Sequence, residues 1–212
     1  MGSRETSIKK ITVNLTKRQK AIIAGTLLGD GYLQKTGSKN ARLRLEHGEK
    51  QKDYLLWKGA QFPNLFNSQP VYIERLHPKT KRVYVYWRWQ SHSTPELGKW
   101  HKLFYPDGKK HIPLTLASLI KESLALAVWY MDDGYYDLKQ KHSFIYLGCV
   151  SHSEAETANE AIRKNFQIAP RVYDKKEKGF ALFFPVSETH RLHLLVRKHV
   201  VESMNYKLSL TP

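Results

Sequence analysis

Two stretches of nine residues decide the fold: IAGTLLGDG at residues 23–31 and LAVWYMDDG at residues 126–134. Each places small residues in an apolar helical run and ends with an aspartate beside a glycine. We predict helices over residues 16–28, with Thr16 as N-cap, and over residues 115–131, with Thr115 as N-cap. Because small residues let two helices approach closely, this pair is expected to pack together and to bring Asp30 and Asp133 to one end.

Each motif helix opens one of two matching halves. In both halves it is followed by two strands, a helix, two more strands and a last helix. The predicted strands cover residues 32–35, 41–47, 71–77, 82–91, 135–138, 143–151, 171–175 and 180–184, and the predicted helices cover residues 50–62, 95–104, 153–166 and 187–201. This indicates an α+β fold, a pseudo-two-fold tandem αββαββα repeat with two antiparallel sheets. The divisions are an extension at residues 1–15, an N-terminal half at 16–112 and a C-terminal half at 113–212.

The composition points to a nucleic-acid partner. The chain has 212 residues and a net charge of +16, which phosphate groups would neutralise. One cysteine excludes an internal disulfide framework, and Cys149 is predicted to be a buried structural thiol in a strand. No apolar run is long enough to span a membrane and residues 1–10 carry no secretory signal, so an intracellular protein is expected. Charge alone separates neither DNA from RNA nor a binding protein from an enzyme.

One predicted strand carries a patterned polar face. In RVYVYWRWQS, residues 82–91, the alternation puts Val83, Val85, Trp87 and Trp89 on a buried face and Arg82, Tyr84, Tyr86, Arg88 and Gln90 on the other. Arg42 and Arg44 oppose Leu43 and Leu45 in the same way. An ordinary solvated face is the alternative. Since arginine reads guanine, glutamine reads adenine and a β-ribbon fits the major groove, the charge favours a nucleic-acid face.

The paired aspartates suggest a cation. Two carboxylates at the negative ends of packed helices repel each other, and an oxygen-rich site of this kind suits Mg²⁺. A single Asp-Gly after a helix is more simply a turn. The occurrence of Asp30 and Asp133 at equivalent places in two halves favours the metal site. The ten histidines form no comparable set, since His190 and His193 lack a partner at ligand spacing.

The two nonapeptides resemble the LAGLIDADG motif, and the chain resembles a monomeric homing endonuclease with two such motifs, over roughly residues 16–208. The residues that carry the resemblance are Ala24, Gly25, Asp30 and Gly31 in the first copy and Leu126, Ala127, Asp133 and Gly134 in the second. The second copy departs from the motif at Val128, Trp129 and Tyr130, where bulky residues could alter the helix crossing.

The resemblance implies an intron-encoded, Mg²⁺-dependent endonuclease that makes site-specific double-strand breaks with short 3′ overhangs in double-stranded DNA. It implies that Asp30 and Asp133 bind the metal, helped by the carbonyls of Gly29 and Asp132. Lys110 and Lys207, each near the end of one half, would act at the scissile phosphates, although Lys109 could replace Lys110. Each sheet would form a saddle over the DNA, with contacts from Lys35, Arg42, Arg44, Arg82, Tyr84, Tyr86, Arg88, Gln90, Lys139, Lys141, Arg171, Tyr173 and Lys175.

Proteins with this fold could also have other functions. An RNA-splicing maturase that binds intron RNA, or a DNA-binding protein that does not cleave, would share the charge and the strands. A ribosomal or structural RNA-binding protein would not need two symmetric acidic helix ends. The presence of both Asp30 and Asp133 favours the enzyme.

Overall fold

The structure, a computed structural model, describes residues 13–209. Its first half contains α1 (Lys17–Leu28), β1 (Tyr32–Lys35), β2 (Ala41–Gly48), α2 (Lys52–Ala60), β3 (Val71–Leu76), β4 (Val83–Gln90) and α3 (Pro95–Phe104). Its second half contains α4 (Leu116–Leu119), α5 (Ser123–Asp133), β5 (Gly134–Asp137), β6 (His142–Gly148), α6 (His152–Phe166), β7 (Arg171–Asp174), β8 (Phe180–Phe184) and α7 (Val186–Val196). Most of the predicted extension, and residues 1–10 examined for a signal, lie outside the described range; within it, Leu15 is buried.

The strands form two four-stranded sheets with the same topology. Their orders are β1-β2-β4-β3 and β5-β6-β8-β7, and all neighbouring strands are antiparallel. The inner face of the first sheet buries Leu43 and Leu45, as their alternation predicts, and that of the second buries Ile145 and Leu182. The predicted α+β class with two repeated antiparallel sheets is therefore confirmed.

The motif helices α1 and α5 form the centre of the core. The α1 helix starts with a capping box in which the Thr16 side chain accepts from the backbone N–H of Gln19. Residues 21–27 and 124–132 are buried, as expected for helices that are apolar all round. A Cβ at Gly25 would lie 2.3 Å from the carbonyl oxygen of Ala125, so the two backbones are in direct contact. Among the described residues, no helix is long and apolar enough to cross a membrane.

The prediction of a single helix over residues 115–131 is wrong. The chain forms the short α4, leaves the helical path at residues 120–122, and starts α5 at Ser123 without a side-chain cap from Thr115 or Glu122. The interruption buries Ile120 completely. The Asn165 side-chain amide donates to the carbonyl oxygen of Ala117 at 2.8 Å and to that of Ile120 at 3.4 Å. It thereby satisfies acceptors that a broken helix leaves free.

Two further predictions are wrong at strand ends. Val83 is 57% exposed rather than buried, because the outer end of the β3–β4 hairpin is covered on neither face; Leu76 beside it is 60% exposed. Of the four residues predicted to lie on the buried face of this strand, the two nearer the helices, Trp87 and Trp89, pack against the core. Cys149 is exposed because β6 ends at Gly148, whose φ of +71° turns the chain out of the sheet.

Candidate active site

Asp30 and Asp133 lie at the C-terminal ends of the paired helices. Asp30 follows Gly29, the C-cap of α1, and Asp133 is the last residue of α5. Burial, followed by the charges of the Asp30 and Asp132 carboxylates, raises the pKa of Asp133 to about 8. Partial loss of solvation, followed by the charge of Asp132, raises the pKa of Asp30 as well. A cation beside these groups would relieve this repulsion at two negative helix ends.

Each helix end is capped by a lysine from its own half. The Lys110 Nζ donates to the carbonyl oxygens of Gly29 and, at 3.2 Å, of Gly31. The Lys207 Nζ donates to the carbonyl oxygens of Met131 at 2.6 Å and of Asp132 at 2.8 Å. The carbonyls of Gly29, Met131 and Asp132 would otherwise lack these partners at the ends of α1 and α5. Lys109, the alternative to Lys110, is exposed, and its backbone N–H bonds to Asp107 at the surface.

A buried chain of hydrogen bonds holds Lys207 in place. The Ser209 N–H donates to Nδ1 of His193 at 3.0 Å, so this imidazole carries its proton on Nε2. Nε2 lies 2.9 Å from the Tyr130 hydroxyl, which donates to the Lys207 carbonyl at 2.7 Å. His193 is thus a core residue, and burial lowers its pKa to about 4. Tyr130, one of the bulky departures in the second motif, has a defined structural role.

A third carboxylate lies between the two halves. Asp132 of α5 accepts from the backbone N–H of Asp30 at 3.2 Å and from the Nζ of Lys58 at 2.6 and 2.8 Å. His47 of β2 completes the cluster, with Nε2 3.2 Å from the Lys58 Nζ. Burial, followed by the charge of Lys58, lowers the pKa of His47 to about 4. The sequence assigns a role only to the Asp132 carbonyl, and it gives no indication that Lys58 and His47 belong to the site.

The acidic side chains fit a hard divalent cation. Asp30, His47 and Asp132 offer ligand atoms within 4.8 Å of one another, although Lys58 already contacts two of the three. The Asp30 side chain is 47% exposed and is therefore open to an ion and a substrate. The carbonyls of Gly29 and Asp132 each accept one lysine hydrogen bond and retain a second lone pair. Carboxylate and carbonyl oxygens are the ligands that Mg²⁺ prefers.

The first sheet has an outer face rich in arginine, tyrosine and amide groups. Residues that pair across antiparallel strands lie on the same face of the sheet. According to the strand register, the outer face carries Tyr32, Gln34, Arg42, Arg44, Glu46, Arg75, Tyr84, Tyr86, Arg88 and Gln90. The Glu46 Oε1 atom forms ion pairs with the Nε of Arg88 at 2.5 Å and with the Nε of Arg44 at 3.2 Å. Lys35 pairs with buried Ala41 and so lies on the opposite face, and Arg82 lies in the turn before β4.

The outer face of the second sheet is more aromatic. Phe144 pairs with both Tyr135 and Phe183, Arg171 pairs with Phe183, and Tyr173 pairs with Ala181. The Lys175 Nζ lies 4.1 Å from the centre of the Tyr146 ring, within the range of a cation–π contact. Lys139 and Lys141 are exposed in the β5–β6 turn. The outer face of the first sheet is therefore rich in arginine and amide groups, whereas that of the second is mainly aromatic.

The LAGLIDADG DNA endonuclease family matches residues 20–192. This chain belongs to that family. RecA of Mycolicibacterium fallax is 28% identical over 208 residues, covering 92% of this chain and 47% of that protein. DNA endonuclease I-ChuI of Chlamydomonas applanata is 27% identical over 217 residues, covering 93% of this chain and 97% of that protein. The chain thus spans about half the length of the RecA proteins it matches.

Solved structures show the LAGLIDADG fold. Homing endonuclease I-WcaI bound to its DNA recognition sequence superposes with a TM-score of 0.86 at 24% identity, covering 95% of this chain and 90% of that one. I-DmoI in complex with DNA and Mn gives a TM-score of 0.53 at 14% identity, covering 87% of this chain and 99% of that one. At these identities the likeness establishes the fold alone.

Proposed function

We propose that this LAGLIDADG protein is a site-specific homing endonuclease that makes metal-dependent double-strand breaks in a long DNA target and leaves short 3′ overhangs. One observation carries the proposal: two packed helices end in Asp30 and Asp133, and a lysine Nζ contacts the terminal carbonyls of each helix. A protein that only binds nucleic acid has no need of raised carboxylate pKa values at such a position.

Asp30 and Asp133 would hold Mg²⁺, with the remaining lone pairs of the Gly29 and Asp132 carbonyls as further ligands. When bound, Mg²⁺ supplies Lewis-acid stabilisation of the phosphate and lowers the pKa of coordinated water. The helices fix the position of both carboxylates: Asp30 follows the C-cap of the buried α1 and Asp133 is the last residue of the buried α5, so the backbone of each is held in place before DNA binds.

Lys110 and Lys207 would act at the chemical step. Phosphodiester hydrolysis builds negative charge on oxygen, and an ammonium fixed beside each helix end offsets that charge. The carbonyl contacts hold each Nζ in one direction, so little reorganisation is needed when substrate binds. Their contacts favour Lys110 over Lys109 for this role.

The outer faces of the two sheets would bind the DNA. Arg42, Arg88 and Gln90 have side-chain groups that read guanine and adenine in the major groove. Lysines 139 and 141 would contact phosphates, and the tyrosines would fill the groove. Because one chain supplies both sheets and both aspartates, a monomer would suffice to cut both strands of a double-stranded target inside the cell.

A cleavage assay tests this function. The protein is incubated with a plasmid library of randomised target sequences, in Mg²⁺ or in EDTA, and the ends of the linear products are sequenced. We expect breaks at one long site in Mg²⁺ only. Sequence-specific binding without breaks would favour the non-cleaving DNA-binding protein, and selective binding of intron RNA would favour the maturase.

A further inference from the structure

Lys58 is a buried cation at the boundary of the two halves. Its side chain is 1% exposed, and the Asp132 side chain that it contacts is 0% exposed. The Nζ has three hydrogen-bond acceptors, Oδ1 and Oδ2 of Asp132 and Nε2 of His47, and lies 4.4 Å from the centre of the Tyr54 ring. Lysine is almost never fully buried unless it is paired in this way.

These contacts use the atoms that a metal ion would need. An ammonium only donates, so Nε2 of His47 must accept, and the imidazole proton lies on Nδ1 facing Oε1 of Gln51 at 3.3 Å. Both nitrogens of His47 and both oxygens of Asp132 are thus already engaged. Among Asp30, His47 and Asp132, which could together surround a cation, only Asp30 remains open.

Within residues 13–209, the second half has no equivalent of this arrangement. Gly29 of the first motif stands where the second motif has Asp132, and a Cβ at Gly29 would lie 2.4 Å from the Asp132 Cβ. The space between the helix ends therefore admits one side chain. Tyr32 pairs with Arg44 as Tyr135 pairs with Phe144, so the counterpart of His47 in the second half is Leu147, which cannot ligate a metal.

We propose that Lys58 is a resident cation: its ammonium fills the metal position between Asp132 and His47, keeps a metal ion out of that position, and holds Asp132 against the backbone N–H of Asp30. Lys58 is then a positioning residue for Asp30 and has no counterpart for Asp133. The effect on cleavage rests on the proposed nuclease function, whereas the exclusion of a metal ion does not.

Co²⁺ binding tests the exclusion directly. Imidazole and carboxylate ligands suit Co²⁺, so Lys58→Ala should bind it at least about tenfold more tightly than wild type, with a larger rise in thermal midpoint. In Lys58→Ala/Asp132→Asn this gain should disappear, and Lys20→Ala, which removes an exposed lysine, should match wild type. If Lys58→Ala is unfolded alone, Co²⁺ should restore its folding. Affinity equal to wild type, or failure of Co²⁺ to restore folding, would overturn the proposal.

Strand-specific cleavage tests the positioning. With each strand of the target labelled, Lys58→Ala/Asp132→Asn should shift the ratio of the two strand rates in the same direction as Asp30→Asn. A general loss of stability would slow both strands equally, and that result contradicts a positioning role. If wild-type protein cleaves no DNA at all, the proposed function fails, and the Co²⁺ titration alone decides whether Lys58 excludes a metal.

Discussion

Gly25→Ala perturbs the helix pair on which the whole site depends. The added Cβ would meet the Ala125 carbonyl oxygen at 2.3 Å, the Val128 Cβ at 2.8 Å and the Trp129 nitrogen at 3.1 Å. The nearest of these atoms belongs to the backbone of α5, so no rotamer change can relieve the contact. The helices α1 and α5 must move apart, and Asp30 and Asp133 at their ends must move with them.

Two opposing effects set the size of the change. Overpacking a filled core costs about 1–3 kcal/mol, and a clash with backbone belongs at the upper end of that range. Replacing glycine by alanine inside a helix raises the free energy of unfolding by about 1 kcal/mol, because alanine has the higher helix propensity. We therefore expect a net loss of about 2 kcal/mol in the free energy of unfolding. For a chain of this size, this lowers the thermal midpoint by about 4–8 °C.

Urea unfolding monitored by tryptophan fluorescence measures this loss. The control is Gly37→Ala, because a Cβ at Gly37 has nothing within 4 Å and its φ is not positive. The control should lie within about 0.5 kcal/mol of wild type, as do most surface substitutions. If Gly25→Ala also stays within that margin, the close approach of α1 and α5 is not what holds the halves together.

Three further predictions concern other parts of the site. Lys207→Met should slow single-turnover cleavage at saturating enzyme more than it weakens DNA binding; a pure loss of affinity with a salt slope lower by about one would make it a phosphate clamp. Arg88→Ala should weaken binding by about 1–3 kcal/mol and relax specificity at one base pair, which profiling of cleaved sites would detect. His193, with its pKa lowered to about 4 from 6.5, stabilises the fold above pH 6.5 and loses that stabilisation as the pH falls toward 4. The free energy of unfolding should fall by about 2 kcal/mol for this group between pH 7 and pH 5, and His193→Asn, less stable at pH 7, should show a correspondingly flatter dependence.

Sequence reasoning succeeds here where local patterns decide the structure. The apolar runs and their Asp-Gly ends locate α1 and the end of α5, because a helix buried on all sides must be apolar on all sides. The alternation in β2 predicts the faces of that strand, and the repeated series of elements predicts two similar sheets, although it does not give the order of their strands. Thr16 is recognisable as an N-cap for the same reason, since a capping box lies within four residues.

Contacts between distant residues could not be predicted in this way. Lys58 and Asp132 are 74 positions apart, and nothing in the surroundings of Lys58 in the sequence distinguishes it from the chain's many exposed lysines. A signal does exist in the second motif, where Asp132 replaces the glycine of the first, since a second buried carboxylate requires a cation. The exposure of Val83 cannot be predicted from the alternation. Alternation shows which residues share a face of a strand, but it does not show whether another element covers that face.

Sequenced cleavage of the plasmid library by wild type, Asp30→Asn and Asp133→Asn tests the central claim most directly. In Mg²⁺, wild type should linearise plasmids at one long site, and neither variant should produce double-strand breaks. Both variants should still bind that site within about tenfold of the wild-type affinity, because their backbones and sheet faces are unchanged. Double-strand cleavage by either variant at the wild-type rate, or equal cleavage by wild type in EDTA, would contradict the assignment of Asp30 and Asp133 as the metal-binding carboxylates of a nuclease.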